Sequence, residues 1–343
     1  MVNDRSVSSR RGGNRRRFLT SAAGVAATAL TAPLIARISP ALAAYPDKPI
    51  KLLVPFGPGG PVDVAARMMG PPLSELLGVP VVVENRPGAS GSLGAGIAAR
   101  SEPDGYTVLV QASSIVTNPL LFTSVPYNPE TDFSPVIDLA DTPTAFAVNP
   151  KLGIRTLKEF VEAAKEKGNF NFSHPGFGTV SHLTGELFRI RTGINLAAVP
   201  HNGGGPATQS LLSGSVELCS AALPALQSLI QAGSVVGIGL TSPKRWPGIP
   251  NLPTFEESGF PDFTLANFTA LFVPSKTPPE ITDRLYKSSL VVLDSPGFRE
   301  KLRLVGLDVT AGSPAYLKAR IERETKIWRE VATRAGMKPI EPK

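Results

Sequence analysis

Three histidines and a handful of serines are where chemistry would have to begin in this chain of 343 residues. His174 and His182 stand eight residues apart across a turn, and His201 lies on a separate loop. No Cys or acid falls beside them at metal-ligand spacing, so the pattern offers no metal site. Ser90, Ser173 and Ser181 can donate hydrogen bonds, but no Gly-x-Ser-x-Gly elbow surrounds them and no neighbouring base activates them. The chain reads as a binding protein with no catalytic residue and no cofactor motif. Cys219 is alone, which excludes an internal disulfide, and its strand-like surroundings read as a buried, inert thiol.

What the sequence supplies in quantity is hydrogen-bond donors. A strand over Ile50–Val54 runs into Pro55-Phe56-Gly57-Pro58-Gly59-Gly60, and a helix opens at Pro61. A second strand over Val79–Val83 runs into Glu84-Asn85-Arg86-Pro87-Gly88-Ala89-Ser90-Gly91 and a second helix. Turns stripped of side chains at the carboxyl ends of parallel strands aim backbone N–H groups and helix N-termini at one place, a site for a small anion. No Lys follows the glycines, so the phosphate-cradling loop is absent. Gly88, Gly91 and Gly94 lack the dinucleotide spacing, and the next strand, Tyr106–Gln111, ends without a ribose-binding acid.

The same device returns further along. Thr156 and Glu159 form a capping box for a helix to Lys167. Strand Asn169–Ser173 leads into His174-Pro175-Gly176-Phe177-Gly178-Thr179, and strand Leu196–Val199 into His201-Asn202-Gly203-Gly204-Gly205. Strands are expected at Thr142–Val148, Val216–Cys219, Val235–Leu240 and Asn267–Val273, the last returning to the first unit. Helices follow over Pro278–Leu293, Pro296–Val305 and Pro314–Arg334, and the Pro71-Pro72 pair is expected to bend or restart the first helix. Alternating strands and helices predict an α/β fold of mostly parallel sheets flanked by helices. Asp63, in a helix first turn, reads as a carboxylate favoured by the dipole and free N–H groups. His182 and His201 are of the type that titrates between pH 5 and 8, and read first as cap or cleft residues.

The segments PFGPGGPVDVAAR, VVVENRPGASGSLG and DGYTVLVQASS closely resemble the periplasmic receptors of the tripartite tricarboxylate transporters, the Bug receptors. The likeness extends over the mature chain. It implies a two-domain, periplasmic-binding-protein-like fold of type II character, residues 44–149 with 265–343 forming one domain and 150–264 the other. It further implies a small carboxylate ligand in the interdomain cleft, transient contact with a membrane permease, and a monomer. The alternatives are a periplasmic sensor whose closed form is read by a signalling partner and, less favoured for want of a catalytic constellation, an exported hydrolase on the same scaffold. Carried over position by position, first-domain contacts fall on Phe56, Gly57, Gly59, Gly60, Ala89, Ser90, Ser113 and Ser114. Second-domain contacts fall on Ser173, Gly178, Thr179, Ser181, His182, His201, Gly203 and Gly204. Val199-Pro200-His201-Asn202-Gly203-Gly204 departs from the family's Val-Pro-Tyr-Lys-Gly-Gly, and Ser220-Ala221-Ala222 lacks an acid to pair with a ligand amine, which favours a non-amino acid.

The first 43 residues resemble an export signal of twin-arginine type. Arg15-Arg16-Arg17-Phe18-Leu19 precedes an uncharged Ala- and Thr-rich run closing at Ala41-Leu42-Ala43, a small-residue cleavage site. Seven arginines against one acid place nearly all of the formal +7 charge in this segment. What remains is close to neutral and gives no footprint for a nucleic acid.

Overall fold

A computed structural model describes residues 45–341 apart from 202 and 264, so the arginine-rich start and its cleavage motif lie outside the described residues. In chain order the elements are β1 (Ile50–Val54), α1 (Pro61–Leu77), β2 (Val81–Asn85), α2 (Ser92–Ala99), β3 (Thr107–Ala112), α3 (Ser114–Leu121), β4 (Phe133–Val148) and α4 (Leu157–Lys167). Then come β5 (Phe170–His174), α5 (Val180–Thr192), β6 (Leu196–Pro200), α6 (Gly204–Ser213), β7 (Leu218–Ala222), α7 (Leu223–Gln231) and β8 (Val236–Leu240). The chain finishes with β9 (Ala266–Pro274), α8 (Pro279–Asp294), α9 (Pro296–Leu304), β10 (Asp308–Gly312) and α10 (Pro314–Arg334).

The strands follow the order β2-β1-β3-β9-β4-β7-β5-β6, with β8 and β10 also pairing β4. β1 is parallel to β2 and β3, and β5 is parallel to β6 and β7. Two antiparallel strands, β9 and β4, join these parallel triplets. β4 serves both sides: Phe133 to Pro143 pair with β9, and Thr144 to Val148 pair with β7.

Strand alternation sorts the side chains into cores. Ile50, Leu52 and Val54 pack with Val62, Ala65 and Met69 of α1 and with Leu285 of α8. Leu53, on the opposite face, joins Leu109, Ala95 and Ile115 in a cluster that continues through Leu317 and Trp328 of α10 to Phe146, Phe172 and Phe188. One apolar core therefore runs beneath both parallel triplets. Ala145, Ala147 and Cys219 face a third cluster with Leu211, Leu223 and Leu226. Burial there pushes the Cys219 thiol up to about 11, the inert state expected of it.

Several expectations change. The strand placed at Thr142–Val148 is the second half of the 16-residue β4. Its first half hides behind Pro135, the buried Asp138 and the half-buried Asp141, and the register shifts at Pro135/Ile137 and Asp138/Ala140. Helix α3 contains Pro119 and the β-branched run Ile115-Val116-Thr117, all against helix propensity. The short strand β10 was also not read from the sequence. Pro71 and Pro72 sit inside one continuous helix. β2 extends to Asn85, two residues later than expected, so the second turn begins at Arg86. The Thr156 cap holds, its Oγ1 accepting from Glu159 N at 3.1 Å, while the Glu159 carboxylate accepts from Arg155 N rather than from Thr156 N.

Candidate functional site

The turn after β1 is built by groups that do not belong to it. Asp63, in the first turn of α1, accepts from Gly59 N at 2.9 Å, from Arg67 Nε at 2.9 Å and from Asn85 Nδ2 at 2.8 Å. Asn85 Nδ2 also donates to Phe56 O at 3.0 Å, stapling the turn to the end of β2. Burial pushes the Asp63 carboxyl up, but the hydrogen bonds from Arg67, Gly59 and Asn85 outweigh it and hold the group below the usual carboxylate range. The expected structural role of Asp63 is thereby given a geometry. A Cβ added at Gly57 or Gly59 would meet nothing within 4 Å, so the outer face of this turn is open.

The turn after β2 has positive φ at four successive residues: Gly88 (146°), Ala89 (47°), Ser90 (52°) and Gly91 (91°). A Cβ at Gly91 would stand 2.9 Å from the Phe56 ring, so the first two turns pack face to face. Beneath them Gln111 Oε1 accepts from Ala112 N at 2.8 Å and from Ser114 Oγ at 3.1 Å. Ser113 Oγ accepts from Phe268 N at 3.0 Å, and Ser113 N donates to Asn267 Oδ1 at 3.3 Å. Ser113 thus ties the end of β3 to β9, and its hydroxyl is spent inside the protein.

In the other triplet, the His174 and His182 rings stack with centroids 4.1 Å apart. Gly178 N donates to His182 Nδ1 at 3.1 Å, and Thr179 Oγ1 caps α5 by accepting from His182 N at 3.3 Å. Burial holds His174 down at about 4; burial and the neighbouring His174 hold His182 down at about 3. This corrects the expectation that His182 titrates between pH 5 and 8. Ser173 Oγ donates to Ala207 O at 2.9 Å, and Ser181 Oγ lies 3.4 Å from Thr144 Oγ1. His201 N donates to His174 O at 3.0 Å and Gly203 N to Pro175 O at 2.9 Å, bringing the last two turns together. The His201 Nε2 atom is buried without a hydrogen-bond partner among the described residues. A Cβ at Gly204 would come 2.9 Å from Ala225 Cβ, so this glycine serves the close approach of α6 to α7.

Helix α3 connects the two sets. Asn118 Nδ2 donates to Ser90 O and to Ser92 Oγ, each at 2.9 Å. One turn later a Cβ on Gly178 would sit 3.0 Å from Leu121 Cδ1, and the Phe122 and Phe177 rings lie 6.2 Å apart. Sequence reading named the serines opening α3 and missed Gln111, held by its near neighbours Ala112 and Ser114, and the amides Asn118 and Asn85, whose partners are distant in the chain.

A cavity of about 280 Å³ opens elsewhere, lined by Asp141, Pro143, Trp246, Ala266, Tyr316 and Arg320 among others and by none of the glycine turns. It borders a buried ion network: Arg320 contacts Asp138 at 2.8 Å, Asp141 at 2.6 Å and Glu324 at 2.7 Å. Burial raises Asp138 to about 6 against the opposing pull of Arg320. Among the described residues no group of three or more His, Cys, Asp or Glu could hold a metal ion, and no helix is long and apolar enough to cross a membrane.

Parallel triplets joined by antiparallel crossover strands, with glycine turns at their carboxyl ends, define an α/β fold of the periplasmic-binding-protein kind. The family described as "Tripartite tricarboxylate transporter family receptor" matches residues 65–337, and the chain belongs to that family. It is similar to the solved structure of periplasmic binding protein BugD at 32% identity and TM-score 0.77, covering 86% of this chain and 100% of that one. It is also similar to R. palustris Rpa4515 with adipate, at 33% identity and TM-score 0.81 over 86% of this chain and 99% of that one. MatC from Rhodopseudomonas palustris with bound malate matches at 30% identity and TM-score 0.75, over 84% and 99% of the two chains.

Proposed function

We propose that the protein is a periplasmic receptor that captures a small organic carboxylate and passes it to a membrane permease of the tripartite tricarboxylate type. Residues 44–149 with 265–343 would form one lobe and residues 150–264 the other, closing about the Thr142–Thr144 and Ala266 crossovers. The observation that carries this reading is the convergence on α3 of the positive-φ turn after β2 and the Gly176–Thr179 turn after β5. Donors fixed in place before a ligand arrives bind a carboxylate strongly once water is excluded. The Gly59 and Gly178 N–H groups already serve Asp63 and His182. The Gly203 N–H is likewise spent on Pro175 O, so the ligand is held by Gly57, Gly60, Ala89 and Ser90 on one side and by the Nε2 of His201, unpartnered among the described residues, on the other. The arginine-rich start supports export, and the adipate and malate in related structures support a dicarboxylate.

The test is thermal unfolding of the mature chain with a panel of mono-, di- and aromatic carboxylates. A ligand raises stability by RT ln(1 + [L]/Kd), about 2.7 kcal/mol at a hundredfold excess over Kd. Indifference to every acid, together with turnover of a chromogenic ester or phosphate, would overturn the reading.

A further inference from the structure

Ala89 and Ser90 both occupy the left-handed region, at φ 47° and 52°, between two glycines that enter it freely. Side chains with a Cβ avoid that region, and a consecutive pair persists only where its surroundings over-determine it. The second half of this pair is held by Asn118. That residue is fully buried, and its Nδ2 donates to the Ser90 carbonyl and the Ser92 hydroxyl, bracketing the turn on either side of Gly91. The Tyr127 hydroxyl donates to the Ser114 and Ile115 carbonyls, pinning the start of α3. Among the described residues the Asn118 Oδ1 atom accepts no hydrogen bond, and the two donor bonds fix which way the amide faces.

We propose that Asn118 is the positioning residue of the ligand site. Its carboxamide locks Ala89–Ser90 in the left-handed shape and so presets the carboxylate-binding turn before the ligand arrives. This rests on the receptor reading for what the turn binds, and not for what holds it. Leu121 lies three residues further along α3 against Gly178, so the helix that locks one turn also abuts the opposite one. Asn118 need not touch ligand; it acts through Ser90.

The test uses the full mature chain with Asn118→Ala, Asn118→Ala with Ala89→Gly, and Ser92→Ala. Amide hydrogen exchange of residues 86–93 is read without ligand, and affinity is read by calorimetry with adipate and malate. Asn118→Ala speeds exchange in residues 86–93 at least tenfold while leaving β1 and β3 protected, and weakens binding of whichever acid the wild type binds about tenfold. Adding Ala89→Gly restores part of that affinity, because glycine takes positive φ without strain; a defect of α3 packing alone would not respond. If Asn118→Ala does not fold, Ser92→Ala, which removes one of the two acceptors, shows a smaller rise confined to the same segment. Unchanged exchange in residues 86–93 overturns the proposal. If the wild type binds neither acid, the dicarboxylate reading falls, while the exchange measurement still decides the role of Asn118.

Discussion

Replacing Arg320 with Met isolates the electrostatics beneath β4. In the native chain one guanidinium faces Asp138, Asp141 and Glu324, and both Arg320 and Asp138 are almost wholly buried. Methionine fills much of the stem volume and leaves the acids without their cation. Stranded carboxyls will protonate, and holding one neutral costs about 1.4 kcal/mol for each unit between the solution pH and an unfolded value near 3.9. For Asp138 that is roughly 5 kcal/mol at pH 7.5 and roughly 1.5 kcal/mol at pH 5. Asp138 already sits at about 6 in the native protein, which offsets part of the difference. That leaves roughly 2 kcal/mol from Asp138 at pH 7.5 and close to none at pH 5, so with Asp141 and Glu324 also stranded the expected loss is about 2–4 kcal/mol at pH 7.5, shrinking to about 1 kcal/mol or less at pH 5. The sign follows from proton binding. A carboxyl raised in the folded state binds its proton more tightly there than in the unfolded chain, so its contribution falls as pH rises from about 4 through about 6. Urea unfolding of wild type and Arg320→Met at both pH values reads this directly. A loss of the same size at pH 5 and pH 7.5 would refute the reasoning, because it would mean that packing and not charge holds α10 to β4.

The histidine pair carries the opposite sign. His174 and His182, depressed to about 4 and about 3 from an unfolded value near 6.5, lose stability as pH falls below 6.5. A His182→Gln variant should flatten that acid limb in unfolding titrations, and an unchanged limb would place the proton elsewhere. Both rings are neutral above pH 5, so carboxylate affinity should vary no more than about twofold from them between pH 5 and 8, checked by calorimetry. Gly91→Val forces a Cβ into a positive-φ site 2.9 Å from the Phe56 ring and should cost about 2–4 kcal/mol, read as a lowered Tm with loss of ligand-induced stabilisation. A wild-type Tm would show that the two turns do not pack as described.

The parallel triplets were legible because their strands are short apolar runs, four of the six followed by glycine turns, as Ile50–Val54 and Phe170–His174 illustrate. Local rules sufficed there. They failed where distant partners overrode propensity. The first half of β4 carries Asp138 at full burial because Arg320, 182 residues away, supplies the counter-charge. Helix α3 forms against its β-branched content and Pro119 because both flanking turns pack on it. At the site, glycine spacing located the turns but gave no indication of which N–H groups remain available. Asp63 and His182 claim those of Gly59 and Gly178, and neither claim follows from sequence separation alone. The histidine titration was misjudged for the same reason, since only the folded chain stacks His174 on His182 out of water.

Native mass spectrometry of the mature protein as purified tests most directly the claim that the converging glycine turns hold a carboxylate. The account predicts a bound mass, or one acquired on adding adipate, malate or a related acid, that is weakened or lost in a variant with Ser90→Ala and His201→Ala, which removes a hydroxyl from one turn and an imidazole from the facing one. A protein that stays empty with every acid, or one that binds equally well with both turns altered, would contradict it.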